Sequence, residues 1–125
     1  MRTARILLLL MITGFCSAGQ MTVADLYKMC TSANGADKTS CTFYILGVVE
    51  GAGLLAGTAK DPTGEYREVQ AKAFCVPEGL SSAALELVVK KKMGEDLALF
   101  PQDRDMPAVS FVVAVIANQF PCKTE

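Results

Sequence analysis

The chain of 125 residues contains no histidine. That removes the side chain most often used as a general acid or base near neutral pH. It has no C-x-x-C pair, so its cysteines lack the ligand spacing of a structural zinc site. No G-x-S-x-G, no S-x-x-K and no pair of carboxylates in a recognisable catalytic frame occurs. The chain therefore reads as a non-enzyme, with neither cofactor nor metal. A basic stripe is missing too. Lys90-Lys91-Lys92 is the one basic cluster and reads as a solvated helix face, which argues against nucleic acid as a partner.

A membrane span is also missing, because the N-terminal apolar run is too short to cross a bilayer. It carries another signal. Arg2 and Arg5 form a basic start, residues 6–13 an apolar stretch, and Cys16-Ser17-Ala18 a small-x-Ala cleavage site. This pattern is that of a secretory signal peptide, with cleavage expected after Ala18. Residues 1–18 are then a leader, and residues 19–125 a single small exported domain, periplasmic and free of the membrane. Losing Arg2 and Arg5 takes the formal net charge from −1 to −3.

Cys16 leaves with the leader, and Cys30, Cys41, Cys75 and Cys122 remain. An even number of cysteines in a small exported domain reads as a disulfide framework. Three connectivities are open. Cys30–Cys41 with Cys75–Cys122 is preferred: the first closes a short loop between two predicted helices, and the second ties the middle of the chain to its end. Chain entropy assigns roughly 3 kcal/mol to the short loop and about 4 kcal/mol to the long one.

Four helices are expected, giving an all-α domain: a small bundle stapled by two disulfides. Thr22 to Asp25 forms a capping box before a first helix that carries Leu26, Met29 and Cys30 on one face. Asn34-Gly35 reads as a turn, and a second helix is expected from Thr39 or Ser40 to about Thr58. Residues 58–72, with Asp61-Pro62 and Gly64, read as a long loop. Ser81 is the expected N-cap of a third helix, stapled by Leu80 and Leu85, with Val88, Val89 and Met93 on its apolar face. Asp105 or Met106 opens a fourth, with Pro107 in its first turn. That last segment is apolar nearly all round and is expected to be the central, most buried helix.

Within the second helix, Gly51 to Ala56 fits the dinucleotide pattern G-x-G-x-x-A. The chain after it is too short for the repeated β-α-β units such a site needs. Gly47 and Gly51 stand four residues apart, on one helix face, and are expected to let another backbone approach closely. Glu50, the one charge in this segment, speaks against a membrane span.

Four stretches in order, "LYKMC", "CTFYILGVVEG", "FCVPEGLSSAAL" and a closing "FPC", resemble the Rap/Tai family of immunity proteins of bacterial type VI secretion systems. Cys30, Cys41, Tyr44, Ile45, Gly47, Cys75, Pro77, Gly79, Pro121 and Cys122 stand at the matching places. The stretch "MGEDLALFPQDRDMP" departs from the family's tidier helix break. The resemblance implies a small all-helical periplasmic protein, often a homodimer, that binds and blocks a cell-wall amidase injected by a neighbouring cell. Its motifs place disulfides, caps and glycine contacts and carry over no inhibitory residue.

The inhibitory surface is therefore sought in loops on the scaffold. Residues 58–72 offer Glu65, Tyr66 and Arg67; Tyr and Arg are enriched at binding hot spots. Residues 101–105 offer Asp103 and Arg104. The competing function is a periplasmic structural or chaperone-like helical protein, similar in size and disulfide content to acid-stress chaperones and lacking a toxin target.

Overall fold

The computed structural model describes residues 19–53, 56–60, 63, 64, 66–70 and 74–123. The leader expected over residues 1–18 lies outside them. Four helices make the frame: α1 (Val23–Thr31), α2 (Gly35–Gly53), α3 (Ser82–Leu99) and α4 (Ala108–Gln119). A 3-10 helix, Pro101–Asp105, joins α3 to α4, and two strands, β1 (Ala56–Lys60) and β2 (Tyr66–Gln70), stand between α2 and α3.

The capping box expected before α1 is formed. The Asp25 amide donates to the Thr22 hydroxyl oxygen at 3.2 Å, and the Thr22 amide donates to the Asp25 carboxylate at 3.3 Å. The Thr22 hydroxyl also donates to that carboxylate at 2.8 Å. These bonds hold the Asp25 carboxyl below its usual range, the hydroxyl contributing most and the amide next. Val23, Leu26 and Cys30 then fall on the buried face of α1.

The second helix starts earlier than the turn signal suggested. The Asn34 side-chain oxygen accepts from the Ala36 amide at 2.9 Å, and the Asn34 carbonyl accepts from the Lys38 amide. Asn34 is thus the cap of α2 rather than a break before it, a role its short polar side chain suits. The Ser32 hydroxyl ties the corner further, donating to Asp37 at 2.6 Å.

The turn before α3 follows from Pro77 and Gly79. The Leu80 amide donates to the Pro77 carbonyl at 3.3 Å, and Gly79 takes φ +82°, a left-handed value that a side chain disfavours. Ser81 then caps α3, its hydroxyl oxygen accepting from the Ala84 amide at 3.2 Å. Leu80 packs against the core cluster that contains Leu85.

The fourth helix has no side-chain cap, and the backbone just ahead of α1 satisfies its first amide. The Ala108 amide donates to the Met21 carbonyl at 2.9 Å, and the Val23 amide donates to the Met106 carbonyl at 2.9 Å. Thr22 and Pro107 form an antiparallel bridge there. The 3-10 helix pushes the start of α4 to Ala108, beyond the expected Asp105 or Met106.

One core joins the helices. It contains Leu26, Cys30, Cys41, Ile45, Leu85, Val89, Met93, Val112 and Ile116. Cys30–Cys41 ties α1 to α2 inside it, with 5.1 Å between the Cα atoms, and Cys75–Cys122 ties the approach to α3 to the end of α4. The preferred pairing is the one present. Of α4, expected as the central and most buried helix, Ala108, Phe111, Val112 and Ile116 face the core, while Val109, Ser110 and Ala114 are exposed. Its Val and Ile content reflects two apolar faces, one of them open.

The long loop expected over residues 58–72 is corrected. β1 and β2 pair antiparallel from Ala56↔Gln70 to Lys60↔Tyr66. Gly64, at φ +87°, lies between the strands. Of the turn signals read as loop, Gly64 falls in the connection of a hairpin, and Asp61-Pro62 lie outside the described residues. Among the described residues, the strands pack on each other and on no helix.

Candidate functional site

The two candidate surfaces have different supports. Tyr66 and Arg67 stand on β2, opposite Lys60 and Ala59 in the ladder. Glu65 lies outside the described residues. The hairpin backbone, rather than a loop, sets where these residues stand.

Asp103 and Arg104 belong to the 3-10 helix, which packs on α1 and α3 and not on the hairpin among the described residues. The two candidate surfaces are therefore not one site. Arg104 is exposed on the rim of a groove of about 630 Å³ between α1, the end of α3 and the 3-10 helix. The opposite wall is α1, with Asp25, Tyr27, Lys28 and Thr31, and Leu97 and Pro101 complete the lining. Sequence reading chose Arg104 but missed Lys28 and Tyr27. The three-residue spacing of Lys28 from Asp25 and of Thr31 from Lys28 was the available signal, since it puts them on one face of α1.

Tyr27 owes its position to Gly94. A Cβ on Gly94 would stand 3.2 Å from the Tyr27 hydroxyl, so the bare α3 backbone is what lets that ring lie close. Beside the groove, α3 carries Asp96, whose Oδ2 is shielded from solvent and has no hydrogen-bond partner. Desolvation first, then the negative charge of Asp103, push the Asp96 carboxyl above its ordinary value of 3.8. Glu95, one residue away, is pulled the other way by a 2.8 Å bond from the Lys92 ammonium.

The glycine stripe of α2 sits elsewhere. Nothing lies within 4 Å of a Cβ added to Gly47 or Gly51, and both are exposed. The expected close approach of another backbone is absent among the described residues. The reason is geometric: α2 turns Cys41, Ile45 and Ala52 to the core, a face these glycines do not share. They line instead an open apolar groove of about 530 Å³, with Phe43, Tyr44, Val109 and Val113. Phe43 is 68% exposed there, and burial raises the Tyr44 phenol above its ordinary value. The G-x-G-x-x-A match has no strand before it, because the run from Phe43 to Gly53 is α2.

Pro77 and Gly79 build the turn before α3, and Pro121 follows α4 directly ahead of Cys122. No helix among the described residues is long and apolar enough to cross a membrane. No curated protein and no solved structure gives a match to the chain. The segment that runs from the α1 capping box to the second disulfide, residues 22–122, does match a family, the Rap1a immunity proteins, and the chain belongs to that family.

Proposed function

We propose that the protein is a periplasmic immunity protein that binds a peptidoglycan amidase delivered by a type VI secretion system and occludes its active-site cleft. The observation that carries this reading is the family match, which spans all four helices and both disulfides. The molecule is a binder and not a catalyst. Residues 1–18 are its export leader, and residues 19–125 act after cleavage.

Two features of the scaffold support occlusion. The hairpin strands pack on each other and on no helix among the described residues, which leaves them available to a partner. The groove beside Arg104 offers a second, separate contact. A second copy of the chain suits the open apolar face of α2 and α4, where Phe43 and Val109 stand exposed beside the glycine stripe.

The test is stoichiometric titration. Amidase activity of the effector encoded beside the protein should fall linearly to near zero as the protein approaches one site per enzyme. Undiminished activity of every neighbouring amidase would remove the reading.

A further inference from the structure

We propose that the groove between α1 and the 3-10 helix docks an acidic segment of the partner protein, a carboxylate side chain flanked by apolar residues, held between Lys28 and Arg104. This rests on the proposed inhibitor function for the identity of the partner, and on the groove itself for the chemistry.

Charge is the first observation. The chain is acidic, and two of its cations, Lys91 and Lys92, both reach Glu95. Lys28 and Arg104 differ. Both are exposed and line the same groove; Lys28 acts on the neighbouring Asp25 by charge alone, and Arg104 enters none of the ion pairs found among the described residues. Asp25 also lines the groove, but its Oδ2 is occupied by the Thr22 amide and hydroxyl. The cations therefore outnumber the anion, and one of them is a guanidinium suited to gripping a carboxylate through two bonds.

Shape is the second. Leu97 and Pro101 give the groove an apolar part, and the Tyr27 ring stands on the α1 wall, close to α3 because Gly94 has no side chain. An acidic residue alone would use only the rim. An acidic residue between apolar neighbours would use rim and lining together. The volume of about 630 Å³ accommodates a few side chains, which fits a segment of a protein better than a single small anion.

The experiment uses the oxidised protein labelled with nitrogen-15 and a short capped peptide carrying one glutamate between two leucines. The amides of Tyr27, Lys28, Thr31 and Leu97 should shift saturably. The glutamine version of the peptide should bind roughly fivefold to tenfold more weakly, and Lys28→Gln with Arg104→Gln should weaken the glutamate peptide by a similar factor. Both substitutions are at exposed positions, and an unchanged melting temperature confirms the fold. Equal binding of the two peptides, free glutamate matching the peptide, or shifts confined to other surfaces would each overturn the proposal. The same double variant is then titrated against the amidase. Wild-type protein that inhibits no amidase yet still discriminates the peptides sinks the inhibitor reading and leaves the groove. Full inhibition by a double variant, with no peptide discrimination by the wild type, sinks the groove and leaves the inhibitor.

Discussion

Gly94 of α3 and Tyr27 of α1 are packed so closely that one added methyl group would lie 3.2 Å from the tyrosine hydroxyl. An alanine in a helix interior is worth up to about 1 kcal/mol over glycine. At position 94 that gain is opposed by the displacement of Tyr27. Gly94→Ala should therefore leave the urea midpoint nearly unchanged, while the Tyr27 ring resonances move. A full gain in stability, with Tyr27 undisturbed, would show that the ring does not rest on this glycine.

Gly47→Ala is the matched control. Gly47 lies inside α2 with nothing within 4 Å of a new Cβ, so the helix gain is unopposed. The variant should be more stable by about 0.5–1 kcal/mol in urea unfolding. If a second copy seats on this face, the same methyl group should weaken self-association, which sedimentation would record as a shift toward monomer.

These two glycines show what was legible in the chain. Caps were, because Thr22 and Ser81 act on amides three residues away, within the reach of local pattern. The disulfide pairing was favoured correctly from loop lengths. Gly47 and Gly51 drew attention through their spacing, and spacing fixes only which face they share, not whether that face meets a neighbour. Gly94 has no periodic partner, so its contact with Tyr27 required the fold to be known. The hairpin was missed because its strands, "AGTAK" and "YREVQ", carry little apolar alternation and pair with each other rather than with a core. Lys28 was passed over because a lone lysine on a short helix signals nothing until the 3-10 helix brings Arg104 opposite it.

Asp96 should make the protein less stable as pH rises from acid toward neutral, against the trend of Asp25 and Glu95. Its carboxyl is raised above 3.8 in the folded state, so the folded chain holds that proton more tightly than the unfolded chain does. Stability from this group is present below 3.8 and is lost as pH climbs through the raised value. Asp25 and Glu95 are lowered, and their stabilisation is lost as pH falls through their folded values. Asp96→Asn removes the charge that desolvation and Asp103 oppose. It should raise the melting temperature at pH 7 by about 2–5 °C, with the difference vanishing in acid near pH 3. A lower melting temperature at pH 7 would contradict this assignment.

The two disulfides should differ in their response to reductant. Cys30 and Cys41 are 2% and 0% exposed, whereas Cys75 is exposed and Cys122 half-buried. Thiolate attack needs access to sulfur, so mild dithiothreitol should open Cys75–Cys122 first. Alkylation followed by peptide mapping would reveal the order. The two bridges close separations of 47 and 11 residues. Cys75→Ala with Cys122→Ala should accordingly cost about 4 kcal/mol by chain entropy. Cys30→Ala with Cys41→Ala should cost about 3 kcal/mol by chain entropy, and more through the cavity left in the core.

The hairpin is where occlusion and stability should separate. Tyr66 and Arg67 stand on β2, and the strands pack on no helix among the described residues. Replacing both with alanine should therefore leave the melting temperature of the bundle within about 1–2 °C of wild type, as expected for substitutions outside the core. If the hairpin enters the amidase cleft, the same double variant loses two anchors of the kind that dominate interfaces. A loss of 2 kcal/mol or more is typical for such a hot spot, roughly thirtyfold in dissociation constant. Calorimetric titration of the amidase effector by the wild type and the double variant measures that ratio directly. A thirtyfold loss at constant stability places the hairpin in the contact. Unchanged affinity removes Tyr66 and Arg67 from it. Inhibition would then have to run through the groove of Lys28 and Arg104, where charge neutralisation should weaken binding and added salt should mimic the effect, because exposed ion pairs are screened within about 8 Å at physiological ionic strength.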